Sequence, residues 1–477
     1  MGGDILKLLN SMEHSLNAIR GQFSPDQFSA LLNMYESEIA ENYLVWFHER
    51  FHYLQSIFTP YGHLKWGCFR SYTADVLQAW FGISEKFSCK KKVPIASYLD
   101  DENVNALKIV ATIHLQDIVQ QFTNISEYAY LSKDIFQITQ LDQDSVVPVI
   151  SLNGNEYNLN GIDILESYAK FEEALLGYYF EEKPLDETIN PDILPERYYS
   201  ALDYFLSNVG SERLHEFPIV CELSLAITKL PKYNDMDAFK KSHPSWRFIS
   251  MVNCLKENKD IASPDIFSNE AFFNYANRVL ADCNFETFDD VWKSAEDYAN
   301  QADLSMAKEM IDAIEYKKNN PWMLSFPMRN PQDFFSKEFN RFQPIFTITY
   351  DTVYYNLDNI SSSELIFENH FQALALQICG RMSKRCIYPD MLQCGFSYFG
   401  LKNCPYQING HCDGHIDGNS ILAPLELDDE DNIIGGCTFE VVLNIMGTSI
   451  REIDVYNVNE KTSLEAIRTA IKKHDMG

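Results

Sequence analysis

Residues 41–58, ENYLVWFHERFHYLQSIF, set a helical repeat of apolar side chains around two histidines, a glutamate and an arginine. At 3.6 residues per turn His48 and His52 fall on one face, one turn apart. Burying such groups costs free energy unless each finds a partner, and the apolar flanks Phe47, Phe51, Tyr53 and Leu54 leave little of this helix for water. A chain built around the segment must therefore leave its polar stripe solvated or supply a matching set of polar groups from elsewhere.

Two imidazoles at this spacing can ligate one Zn²⁺, with Glu49 projecting beside the ion rather than onto it. There a carboxylate can take a proton from zinc-bound water and return it to a leaving amine. A catalytic zinc needs a third protein ligand and an open position. The run HERFH, taken with GIDILESYAKFEEALLGYYF at 161–180, resembles the zinc metallopeptidases of the gluzincin type, whose HExxH helix is followed by a glutamate ligand on a second helix. The resemblance implies a zincin-like catalytic region, hydrolysis of peptide bonds in a protein or peptide substrate, and a catalytic Zn²⁺ held by His48, His52 and Glu166, with Glu49 as general base. Ala169 stands where several such families carry a small residue that lets the two helices approach. The sequence departs from the pattern in a longer interval between His52 and Glu166, and in Lys170, where an acid is often found. Glu173 or Asp163 would then orient the first histidine, while Glu172 and Glu173 are fallback ligands.

Other residues near the motif leave alternatives open. Gln55 can steady a ligand or a backbone group, or be solvated. His63, after Pro60 and Gly62, reads as a surface histidine. The donor for a developing oxyanion could be Tyr178, Tyr179, His215 or Tyr350, and sequence does not choose among them. A different chemistry can also be written: Glu49-x-x-His52 and Glu212-x-x-His215 are two copies of the step used in di-iron carboxylate proteins of the ferritin-like kind, with Glu166 and Glu38 or Glu41 completing the set. A third reading is a non-catalytic helical interaction protein in which the motif is idle.

Helical periodicity continues at 4–20, 25–35, 72–82, 103–123, 126–133, 162–180, 196–208, 217–228, 265–281, 286–315 and 362–381. Strands are expected at 146–161, as a hairpin about Asn153-Gly154, and at 344–356, 438–446 and 452–458. The fold class is α+β, mainly α-helical, with a helical catalytic region at 1–325 and a smaller β-containing, cysteine-bearing region at 326–477. Within the latter, Cys386, Cys394, Cys404 and Cys412 are dense enough for a structural Zn²⁺, with His411 and His415 alongside. Unligated thiols and an iron–sulfur site are the other readings of this cluster. Asp428 to Asp431 read as a solvated turn.

The balance of 39 Lys+Arg against 68 Asp+Glu gives a formal charge of −29, which repels nucleic acid and anionic membranes. Lys90, Lys91 and Lys92 read as a solvated loop or helix end. The N-terminal MGGDILKLLNSMEHSL lacks the basic start and apolar core of a signal peptide, and no stretch approaches a membrane span. The 11 cysteines are mostly scattered, as in reduced thiols. These features give the expectation of a cytoplasmic protein whose activity is restrained by narrow access or by a regulatory partner.

Overall fold

The computed structural model describes residues 21–24, 29–32, 36–39, 41–86, 89–100, 148–192, 194–227, 236–301, 305–325, 341–342, 346–348, 353–355, 362–380, 392–394, 415–416, 426–427, 433–435, 438–449, 452–456, 466 and 469–470. Helices dominate it, with few and short strands, so the described residues form a mainly helical α+β protein. The principal helices are α1 (Tyr43–Phe58), α2 (Pro60–Lys86), α3 (Gly161–Glu181), α4 (Ser200–Val209), α5 (Phe217–Ser224), α6 (Pro244–Glu257), α7 (Asn269–Asp282), α8 (Phe288–Gln301), α9 (Ser305–Asn319), α10 (Ser362–Ile378) and α11 (Thr438–Ile445).

Helix α1 is the centre of the packing. It lies along α3 over its greatest extent and is also covered by α2, α9 and the strands β1 (Gly21–Ser24) and β2 (Ser29–Leu32). Phe47, Phe51, Tyr53, Leu54, Ile57 and Phe58 have no exposed surface as a result, and they join one large core that reaches Trp322, Phe342 and Leu376. Helix α3 is well started and well stopped. Asn160 and Asp163 form a reciprocal capping box, and Glu182 closes the far end in the left-handed conformation (φ 56°), its N–H donating to the Tyr178 carbonyl and that of Lys183 to the Gly177 carbonyl. Capping at both ends fixes where each side chain of α3 points along α1.

Helix α1 stops at Thr59, which is extended, and α2 begins at once with Pro60 in its first turn. Pro60 thus follows the end of one helix and opens the next. The Thr59 hydroxyl donates to the Gln55 carbonyl (2.6 Å) and accepts from Gly62 N–H (3.1 Å). The chain doubles back so tightly that a Cβ at Gly62 would lie 2.2 Å from the Ser56 carbonyl oxygen.

The largest described sheet has the order β1-β2-β6-β7, with β6 Phe346–Ile348 and β7 Val353–Tyr355. β1 and β2 are antiparallel, β2 and β6 parallel, β6 and β7 antiparallel. Chain from both sides of residue 325 therefore shares this sheet as well as the core. A parallel pair, β3 (Lys91–Val93) with β12 (Ile453–Val455), joins distant parts of the chain again. Lys91 and Lys92 are thus strand residues, contrary to the loop reading; their amines lie over the Phe81 and Tyr98 rings, and Lys90 pairs with Asp454 at 3.1 Å.

Several expected elements are corrected. The helix expected at 25–35 is replaced by a strand at 29–32, because Ser24 and Ser29 are register partners and β2 gains a second neighbour in β6. Within 344–356 the described residues form two antiparallel strands, and those within 286–315 belong to two helices, α8 and α9. TFEVVLNI is helical: Phe439, Val442 and Leu443 are buried with the i, i+3, i+4 spacing of a helix face, while the adjacent valines had suggested a strand. The hairpin at Asn153-Gly154 forms as expected between β4 (Val149–Leu152) and β5 (Asn155–Asn158), both turn residues having positive φ (52° and 78°). Helices expected at 4–20, 103–123 and 126–133 lie outside the described residues.

Since the Ser56 oxygen is backbone and cannot swing aside, Gly62→Ala forces α1 and α2 apart. We expect a loss of about 1–3 kcal/mol in urea unfolding; an unchanged midpoint would show that this turn is not tight.

Candidate metal centre

Within HERFH nearly every polar side chain is committed. Arg50 is 1% exposed and donates from Nη2 to the Phe342 carbonyl at 3.0 Å, with its guanidinium over the Trp46 ring. His48 Nδ1 faces Glu173 Oε2 at 3.0 Å, and His52 Nδ1 faces Gln55 Oε1 at 2.7 Å. Gln55 is oriented in turn, because its Nε2 donates to the Leu165 carbonyl at 3.1 Å. The Gln55 and Glu173 oxygens can only accept, so each imidazole carries its hydrogen on Nδ1 and, when neutral, presents a lone pair at Nε2.

Those two lone pairs converge with a carboxylate. His48 Nε2 lies 3.1 Å from Glu166 Oε2, His52 Nε2 lies 3.2 Å from the same oxygen, and the two Nε2 atoms are 3.1 Å apart. Three acceptors in contact with no hydrogen among them repel one another, and a cation at their centre turns that repulsion into ligation. Ligands about 2.0–2.1 Å from one tetrahedral ion lie roughly 3.3 Å apart, so the triangle fits Zn²⁺. His48, His52 and Glu166 can therefore hold a metal ion, as the sequence predicts. Their side chains are 7%, 12% and 15% exposed, so the group is largely withdrawn from water.

Without a cation, protons answer the same charges. Burial opposes a charge on His48, but hydrogen bonds and attraction from Glu166 and Glu173 outweigh it and raise its pKa to about 10. Burial likewise favours the neutral forms of Glu166 and Glu173, yet the neighbouring imidazoles hold both below the ordinary carboxylate range, with Lys170 assisting at Glu173. Glu49 behaves differently. It is 6% exposed and, among the described residues, has no hydrogen bond or ion pair; burial raises it to about 7 although His48 and His52 pull it down. A buried carboxylate with its pKa raised toward neutrality thus lies next to a group of side chains that could hold a metal ion.

Helix α3 supplies the outer partners at the spacing its period dictates, since Glu166 and Glu173 are two turns apart on one face. Ala169 between them is fully buried, as close packing of α1 and α3 requires. Glu173, not Asp163, orients His48. Asp163 instead caps α3 and accepts from the Tyr157 hydroxyl at 3.0 Å. Glu172 points the other way, into the core, with no exposed surface and no hydrogen-bond partner among the described residues, so it takes no part in the triad. His63 is a correction: it is 1% exposed, and its Nε2–H donates to the Ile57 carbonyl at 2.7 Å. Burial lowers it to about 4, so it stays neutral.

Of the proposed oxyanion donors, Tyr178 and Tyr179 are exposed at the end of α3, His215 lies in the turn Ser211–Glu216, and Tyr350 is outside the described residues. The tyrosine brought to the triad is Tyr198. Its ring meets the His48 ring edge-on at 5.8 Å, and its hydroxyl is raised by burial and by the Glu166 and Glu49 carboxylates. No signal marked it, because it sits in a short 3-10 turn, Glu196–Tyr198, placed by packing on α3. Glu38 and Glu212 are exposed, and no second group of His, Cys, Asp and Glu converges among the described residues, so the two-metal constellation does not assemble there. Cys394 is buried just after β8 (Leu392–Gln393), whose Gln393 pairs in register with His415; Cys386, Cys404, His411 and Cys412 lie outside the described residues. A cleft of about 500 Å³ lined by Asp312, Glu315 and Arg341 contains none of the site residues. No protein family, curated protein or solved structure matches this chain.

Glu172 gives a pH test of these placements. Its pKa is raised well above the usual range by burial, so the folded chain binds this proton more tightly than the unfolded one. The associated stability is present below the unfolded value of about 4.3 and is lost as pH rises through the folded one. Glu172→Gln should therefore raise Tm over wild type, by a margin that widens between pH 4.5 and pH 8. A variant that is less stable at pH 8, or that loses bound metal, would contradict the assignment.

Proposed function

We propose that this chain is a zinc-dependent metallopeptidase, with His48, His52 and Glu166 holding the ion and Glu49 acting as general base. The observation that carries this reading is the triangle of Glu166 Oε2 and two imidazole Nε2 atoms at 3.1–3.2 Å, with both imidazoles held from behind at Nδ1. A zinc ion bound there would supply Lewis acidity, lowering the pKa of water to about 7 and polarising a carbonyl.

The remaining work falls to the chain. Glu49, buried and without a hydrogen-bond partner among the described residues, accepts the proton of the attacking water and holds it until the leaving amine takes it. Glu173 and Gln55 keep both imidazoles in the tautomer that presents Nε2. The Tyr198 hydroxyl, beside the triad and kept protonated by its surroundings, donates to the oxyanion that forms when the carbonyl is attacked. A zincin-like arrangement of the catalytic region belongs to the same proposal. So do a peptide or protein substrate, the absence of nucleic-acid and membrane partners, restraint by a regulatory partner, and a cytoplasmic setting; no described helix is long and apolar enough to cross a membrane.

The test uses a quenched-fluorescence peptide library and zinc-loaded protein. Glu49→Gln should keep its zinc and lose at least ~10²-fold in cleavage rate, as expected for removal of a general base. Tyr198→Phe should lower kcat by ~10²-fold at unchanged zinc content. Cleavage that persists at the wild-type rate in Glu49→Gln would sink the peptidase reading.

A further inference from the structure

Lys170 stands one turn beyond Glu166 on α3, where its ammonium lies 2.6 Å from Glu173 Oε1. The other oxygen of the same carboxylate, Oε2, takes the hydrogen of His48 Nδ1 at 3.0 Å. The Glu173 carboxylate is thus gripped on both sides, by a cation and by a ligand-bearing ring. All three side chains are largely withdrawn from water, at 13%, 10% and 7% exposed for Lys170, Glu173 and His48. Lys170 has no other polar partner among the described residues.

An ordinary i, i+3 ion pair on a helix surface contributes little, because both ends exchange freely with water. This pair differs in what its anion does next. Glu173 has several rotatable bonds, and only the rotamer that carries Oε2 to His48 fixes the imidazole plane and its tautomer. With Oε1 left unpaired, nothing holds the carboxylate in that rotamer, and it can turn away and release the ring.

We propose that Lys170 is a positioning residue for the metal centre: by holding Glu173 Oε1 it locks Glu173 onto His48, so zinc affinity depends on an ammonium that touches no ligand. The inference rests on the reading of His48 as a zinc ligand. It places the control of His48 on α3, since Glu166, Lys170 and Glu173 occupy successive turns of one capped helix.

The test measures zinc affinity of the full chain by competition with a chromophoric chelator, beginning from metal-free protein. Lys170→Met keeps the length and packing of the stem but removes the charge, and should weaken zinc binding ~10-fold, the lower end of what loss of an outer partner costs. Lys170→Arg, which keeps a cation in reach of Oε1, should stay within ~3-fold of wild type. Glu173→Gln should weaken binding by ~10–100-fold. Lys170→Met added to Glu173→Gln should cause no further loss, because the lysine acts only through that carboxylate. Wild-type affinity in Lys170→Met overturns the inference, as does a full additional loss in the double variant. So does a fall in the Tm of the metal-free chain without any change in affinity, the mark of a merely structural pair. Failure of the wild-type chain to take up zinc overturns the peptidase reading along with this one, whereas normal uptake that is indifferent to Lys170 overturns this one alone.

Discussion

Glu166 Oε2 and the Nε2 atoms of His48 and His52 meet within 3.2 Å of one another, facing lone pair to lone pair when both imidazoles are neutral, and α1 must pack closely along α3 for this to happen. Contact between lone pairs is unfavourable by itself. It persists because each group is held from behind: His48 by Glu173, His52 by Gln55, and Glu166 by the rigid capped helix that carries it. A cation at the centre relieves the conflict. In its absence a proton does so in part, which is why two carboxylates keep His48 protonated far above the usual histidine range.

The rest of the architecture serves that convergence. Helix α1 is buried on nearly every side, which a helix bearing His, Glu, Arg and His can tolerate only if partners arrive from other parts of the chain. They come from α3, from the carbonyl of Phe342 and from within α1. Glu49 is left over. Its lack of a partner is conspicuous in a helix where the neighbouring polar groups are matched, and burial without a partner brings a carboxylate close to neutrality.

The site was more legible in the sequence than the fold around it. His48, Glu49 and His52 follow from helical spacing alone. Glu166 came only from the resemblance to gluzincin-type peptidases, and of the two acids expected to orient the first histidine, Glu173 and Asp163, it is Glu173 that meets it. Sequence missed what depends on tertiary placement: Tyr198, delivered by a short turn packed on α3, and the burial of His63, enclosed by the fold-back at Thr59. Residues 29–32 became a strand because β6, more than 300 residues later, offers it a parallel partner, and no local pattern encodes that. Thr438–Ile445 became a helix despite paired valines because its buried residues face α10. In both cases a long-range contact overrode a weak local preference.

The most direct measurement is zinc-edge X-ray absorption, with metal content, on the purified protein and on His48→Ala. The account predicts one zinc per chain, bound by two imidazole nitrogens and carboxylate oxygen at about 2.0–2.1 Å, and loss of that ion in the variant. A wild-type protein that takes up no zinc, or whose zinc is ligated by sulfur and survives removal of His48, would contradict it.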